Sequence, residues 1–168
     1  MSIIVAITDG QRHRVIAGDQ QVTDSEGHTE TKAPKVYKLP SGLLGFCGNV
    51  KPERSLVRLL RKIEDPTLDS VKLPKGVYDA VFLSKNGNAY RVAHGEAFLC
   101  NWASVFATGT GATYAYGAVY GFCTARGWNY ARLTKQQMLT VARVGVKAAI
   151  RFNNTCGGRV QVKHLELL

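Results

Sequence analysis

A hydroxyl and a free amine on one residue make a self-contained nucleophile and base, and Ser2 offers that pair directly behind Met1. A small second residue allows a methionine aminopeptidase to remove Met1, after which Ser2 carries an α-amine beside its own Oγ. An α-amine titrates near about 7.7–8.0, so at neutral pH it can accept the hydroxyl proton and activate the oxygen. The apolar run Ile3-Ile4-Val5-Ala6-Ile7 follows at once, with no leader, arm or targeting segment expected, and it places Ser2 at the start of a strand. Cys47, Cys100, Cys123 and Cys156 are widely spaced, with no CxxC pair and no histidine at ligand spacing. They read as small buried thiols, and neither a zinc site nor a disulfide framework is expected; no metal or cofactor is called for. Gly109-Thr110-Gly111 follows a strand and opens a helix, as a dinucleotide fingerprint does. Tyr114 fills its third glycine position, however, and no acidic residue stands about 20 positions on to hold a ribose.

The chain that must position Ser2 has 168 residues, enough for one substantial core, and residues 1–168 are expected to form a single domain. Hydrophobic residues at 45% and charged residues at 20% fit a globular protein. No apolar run approaches the roughly 18 residues that span a bilayer, so no membrane partner is expected and a cytoplasmic location is. The net charge of +10 invites a nucleic-acid reading, because basic surfaces bind phosphate backbones whatever their sequence. The lysines and arginines are spread along the whole chain with no reader motif among them, which argues against it. Arg143, Lys147 and Arg151 do form one basic helical stripe, a solvated face or a positive wall toward an acidic partner or ring cavity.

Residues 2–8 and 13–18 read as strands around the turn Thr8-Asp9-Gly10. Residues 20–24 and 35–39 flank a polar loop, and Gly42 to Gly48 reads as a buried strand. A helix is expected from Pro52, with Leu56, Val57, Leu59, Leu60 and Ile63 on its apolar face and Asp65-Pro66 ending it. Residues 77–84 and 89–92 form a hairpin through Asn86-Gly87. A strand at 104–108, a helix from Thr110 to about Ala125, a helix capped by Thr134 through about Phe152, and a strand from Arg159 to Leu165 complete the order. That order suits packed sheets covered by helices.

Four stretches, in order, carry a resemblance: Val15-Ile16-Ala17-Gly18-Asp19-Gln20-Gln21-Val22-Thr23, Lys35-Val36-Tyr37-Lys38-Leu39, Leu44-Gly45-Phe46-Cys47-Gly48 and Ala107-Thr108-Gly109-Thr110-Gly111. With Asp19 and Lys35 sixteen apart as in HslV, the chain resembles the proteasome β-subunit and HslV group of N-terminal nucleophile (Ntn) hydrolases. The likeness covers nearly the whole chain and is closest over residues 13–50. It implies an α+β fold, a four-layer αββα sandwich of two antiparallel sheets, with Ser2 at the end of an inner strand.

The resemblance implies a peptidase with Ser2 as nucleophile, where the family usually has threonine. Serine performs the same acyl transfer but lacks the γ-methyl that holds threonine's hydroxyl in one rotamer, so some loss of rate is expected. Lys35 matches the active-site lysine, whose charge lowers the proton affinity of the nearby hydroxyl and amine, and Asp19 its carboxylate partner. Gly45 matches the glycine whose N–H stabilises the oxyanion. Thr110 stands where the family has a serine supporting the N-terminal amine. Thr23 and Cys47 match positions whose backbones pair with an extended substrate, and Val22, Ala33 and Cys47 would line the first specificity pocket, implying a preference for apolar side chains before the cut. The implied substrate is a peptide or unfolded protein, and the implied assembly a homo-oligomer of single or stacked rings of six or seven.

Two departures modify these expectations. Asn153 falls where many proteasome subunits place an aspartate near the nucleophile, and Cys156 replaces their serine. Between Ile63 and Val77 the chain is shorter than in the family and broken by Pro66 and Pro74, so one outer helix layer is expected to be truncated. That layer faces a neighbouring ring or an AAA+ ATPase in the family, so the docking face is altered. Retention of Met1 would block the amine, which leaves a second reading: a catalytically inactive, ring-forming structural subunit.

Overall fold

The computed structural model describes residues 2–23, 29–30, 32–63, 67–68, 71–101 and 104–167. Met1 and Asp65-Pro66 lie outside them. One sheet has the strand order β10-β1-β2-β11, built from β1 (Ile3–Thr8), β2 (His13–Gly18), β10 (Val105–Gly109) and β11 (Gln161–Glu166). The other runs β5-β6-β7-β8-β9, built from β5 (Val36–Leu39), β6 (Gly42–Gly48), β7 (Tyr78–Ser84), β8 (Ala89–Ala93) and β9 (Glu96–Leu99). A two-stranded ribbon, β3 (Val22–Thr23) with β4 (Thr29–Glu30), stands beside them. All the pairings are antiparallel.

The apolar run of β1 follows from burial on both faces. Ile3, Val5 and Ile7 pack with Val15 and Ala17 under α2 (Ala112–Ala125) and α3 (Lys135–Phe152), while Ile4 and Ala6 point between the sheets with Ile16, Leu43, Val81 and Leu83. Each fully buried isoleucine or leucine of this kind contributes roughly 1.5–3 kcal/mol. A third cluster lies outside the second sheet, where α1 (Val50–Lys62) sets Leu56, Val57 and Leu60 against Leu44, Phe46 and Phe82. The layers are therefore α2 and α3, sheet, sheet, and α1: the αββα sandwich of the α+β class.

Among the described residues α1 is the one α-helix on its side, as the shortened segment after Ile63 suggests. Leu68 and Leu73 from that segment fill the space beneath it. α1 starts at Val50, two residues before Pro52, which occupies the first turn, where a missing N–H breaks no intrahelical bond. α3 opens as expected with a full capping box, Thr134 and Gln137 each bonding the other's backbone. β4 and β9 have no counterpart in the sequence reading. No helix among the described residues is long and apolar enough to cross a membrane.

Candidate active site

Asp19 follows β2 and reaches back to β1 in two ways. Its N–H donates to the Ile3 carbonyl at 3.2 Å, and its Oδ1 accepts the Ile3 N–H at 3.1 Å. Ile3 is thus held at both ends, which fixes Ser2 beside it. The other oxygen of Asp19, Oδ2, accepts the Gly157 N–H at 3.0 Å from the turn after α3.

Lys35 enters from the segment leading into β5. Its Nζ lies 3.1 Å from Asp19 Oδ1 and also donates to Ser2 Oγ and to the Gln21 carbonyl. Three donor hydrogens meet three acceptors, so the buried ammonium is fully satisfied. Ser2, Asp19 and Lys35 are 3%, 0% and 4% exposed, which makes this a desolvated charge pair aimed at one hydroxyl. The backbone of Lys35 is anchored as well: its N–H donates to Gln161 Oε1 of β11 at 2.9 Å, and its carbonyl accepts the Phe46 N–H at 2.9 Å.

No protein-family model matches the sequence, and neither does any curated protein. Solved structures do match over the whole chain. A Thiobacillus denitrificans protein called BPH, solved in complex with epoxomicin, has TM-score 0.71 at 20% identity, covering 100% of both chains. A second structure of that protein gives 0.71 at 21% identity, covering 99% of this chain and 98% of the other. The eukaryotic HslV of Trypanosoma brucei gives 0.70 at 18% identity, covering 98% of this chain and 99% of that one. The chain has the HslV-like proteasome β-type fold.

Within the HslV-like fold the other expected site residues are less uniformly placed. Gly45 lies mid-strand, paired with Val36 on one side and Val81 on the other. Because the Phe46 N–H faces β5, alternation turns the Gly45 N–H toward β7 and into the ladder, where it is not free to meet an oxyanion. Its need for glycine is steric: a Cβ there would collide with Ile4 and Ile16 across the sandwich. The same alternation turns the Gly48 N–H toward the β5 side, next to the Ala33–Lys35 segment, and the Asn49 N–H back to the Val77 carbonyl at 3.3 Å. Gly48 has φ of +138°, and a Cβ would press on the Tyr78 backbone.

Cys47 shares the inter-sheet face of β6 with Gly45. Its Sγ is directed at the Thr108 carbonyl, 3.7 Å away, and burial pushes its thiol pKa well up despite the opposing pull of Lys35. It is therefore a protonated thiol inside the sandwich. Val22 and Ala33 do line a cavity, of about 670 Å³, with Pro34, Tyr37, Val57 and Arg54. It lies on the α1 side of β6, so Cys47, in the cluster between the sheets, faces away from it. Arg58, Arg61 and Lys62 extend its basic wall along α1. Tyr37 OH donates to Glu53 Oε1 at 2.6 Å, and burial raises the Glu53 carboxyl above its ordinary range.

The Thr23 backbone lies in β3, opposite Thr29. Thr110 comes one residue after Gly109, where a Cβ would collide with the Ser2 carbonyl, but its hydroxyl is bonded to Thr155 Oγ1 at 2.7 Å. Asn153 Nδ2 donates to the Thr110 carbonyl at 2.8 Å, and Asn153 Oδ1 accepts the Thr155 hydroxyl at 2.6 Å. Among the described contacts Thr110 belongs to this polar turn and not to Ser2. Sequence reasoning missed the Gly157 N–H, the Gln21 carbonyl and Thr155 as supports. The glycine pair after α3, Gly157-Gly158, was the available signal for the first.

Proposed function

We propose that the chain is an Ntn peptidase whose nucleophile is Ser2 once Met1 has been removed. The observation that carries this reading is the buried Lys35 ammonium, held between Asp19 and the Ser2 hydroxyl. In the proposed reaction Ser2 Oγ attacks the peptide carbonyl while the α-amine of Ser2 takes its proton. Lys35 favours the step by placing positive charge next to developing negative charge. The amine then gives that proton to the leaving nitrogen as the C–N bond breaks, leaving an ester on Oγ. Water, deprotonated by the same amine, hydrolyses the ester and restores the hydroxyl.

Gly48, in place of Gly45, is the proposed oxyanion donor, because its N–H is directed out of the ladder on the side from which Lys35 approaches. Thr23 is proposed to pair with an extended substrate by strand addition. The cavity beside Ala33 is the proposed specificity pocket. Apolar Val22, Ala33 and Val57 beside Arg54 and Arg58 support a side chain with an apolar stem and an acidic end, in place of a wholly apolar one.

The exposed aromatics Tyr114, Tyr120, Tyr130 and Phe152, contributed by α2, α3 and the turn between them, support burial against other subunits in a homo-oligomeric ring. On the opposite face α1 is the one helix among the described residues, which supports an altered contact with any AAA+ ATPase. Peptide hydrolysis by protein of verified N-terminal mass is the test. Turnover that requires loss of Met1 and disappears in Ser2→Ala is expected, whereas equal turnover in Ser2→Ala, or none from Met1-free protein, would favour the inactive ring subunit.

A further inference from the structure

We propose that His13, His164 and Glu166 form a binding site for one divalent transition-metal ion of the zinc type, at the edge where β11 joins β2. The site is separate from Ser2 and does not depend on the peptidase reading. His13 opens β2 and is paired with Glu166, while His164 lies opposite Val15 two residues away. Alternation puts all three side chains on one face of the sheet. The ligand atoms of the three residues lie within 4.8 Å of one another.

The spacing of the two imidazoles is informative. His164 Nε2 and His13 Nδ1 are 3.4 Å apart, with the rings tilted by 43°. That distance is long for a hydrogen bond from N–H. Zinc–nitrogen bonds of about 2.0–2.1 Å in a tetrahedron separate two ligand nitrogens by about 3.3–3.4 Å, so one ion fits between them without moving the strands. Two imidazoles and a carboxylate are a donor set zinc accepts, with water completing the tetrahedron.

Charge around the site also bears on it. The groups facing His164 are Lys135 from α3, Lys38 from β5, His13 from β2 and Glu166 from β11. Glu166 supplies the negative charge and must release Arg12, 2.5 Å away, whose side chain is 68% exposed. An exposed pair of that kind is readily exchanged. A bound ion would cross-link β11 to β2 near the end of the strand whose Gln161 supports the Lys35 backbone.

The test is Zn²⁺ titration of chelator-stripped full chain by calorimetry, with Co²⁺ as a spectroscopic probe. One ion per chain and a raised melting temperature in Zn²⁺ are expected. His13→Ala and His164→Ala should each weaken binding at least about tenfold, more than Glu166→Gln, while melting like the wild type without metal. Cys100→Ser, at the partly exposed thiol, should bind normally. The proposal is overturned by absence of binding at about 100 µM Zn²⁺, by undiminished binding in His13→Ala/His164→Ala, or by a thiolate-to-cobalt absorption band.

Discussion

Replacing Asp19 by asparagine tests the charge pair behind Ser2 without changing side-chain volume. Two carboxylate oxygens of Asp19 serve three donors: the Ile3 N–H, the Gly157 N–H and Lys35 Nζ. Asparagine keeps one acceptor oxygen, so whichever way its amide turns, at least one buried donor meets an NH₂ group. The Lys35 ammonium also loses its counter-charge in a place where its side chain is 5% exposed. Removing one partner of such a buried pair costs about 3–5 kcal/mol. In a chain of this length each kcal/mol lowers the melting temperature by roughly 2–4 °C, so Asp19→Asn is expected to melt roughly 6–20 °C lower. Thermal and urea unfolding followed by circular dichroism would measure it. Asp19→Asn/Lys35→Met removes the stranded charge and should lose less than the sum of the single variants, by about 0.5–3 kcal/mol. A single-variant cost under about 1 kcal/mol, or strict additivity in the pair, would show that Asp19 does not hold the Lys35 charge in place.

Gly45→Ala should destabilise the chain by roughly 1–3 kcal/mol through overpacking against Ile4 and Ile16, and unchanged unfolding in urea would contradict that steric role. Glu53→Gln should change the pH dependence of stability. Burial raises the Glu53 carboxyl above its ordinary 4.5, so in the window between those values the folded state binds more protons and gains stability as pH falls. Wild type should therefore gain on Glu53→Gln in urea unfolding between neutral pH and about 4.5, and a constant difference would contradict this. Arg54→Glu should shift cleavage away from acidic residues before the cut in a peptide series, and an unchanged preference would remove the cavity beside Ala33 from substrate selection.

The sandwich was legible in the sequence because its central strands carry their burial openly. Ile3 to Ile7 is apolar at every position since both faces are covered, and Thr134 with Gln137 announces α3. β9 was not legible, for Glu96 to Leu99 is largely exposed and lacks an alternating apolar pattern. Ser2, Asp19 and Lys35 could be placed together because they belong to consecutive strands and their connections. The orientations of Gly45 and Cys47 were not legible for a single reason: β6 alternates, and its phase shows only when the Phe46 N–H is seen to meet the Lys35 carbonyl. His13 and His164 are 151 positions apart, so no spacing rule could join them.

The most direct test of Ser2 as a free N-terminal nucleophile is intact-mass and peptide mass spectrometry after incubation with a short peptide that ends in a ketone next to an epoxide. Its ketone and epoxide offer two electrophilic carbons within reach of one residue bearing both a hydroxyl and an amine. One inhibitor per chain is expected, on the Ser2 N-terminal peptide of protein lacking Met1, and none on Ser2→Ala. An unmodified Ser2 in Met1-free protein, or an adduct that persists in Ser2→Ala, would contradict it.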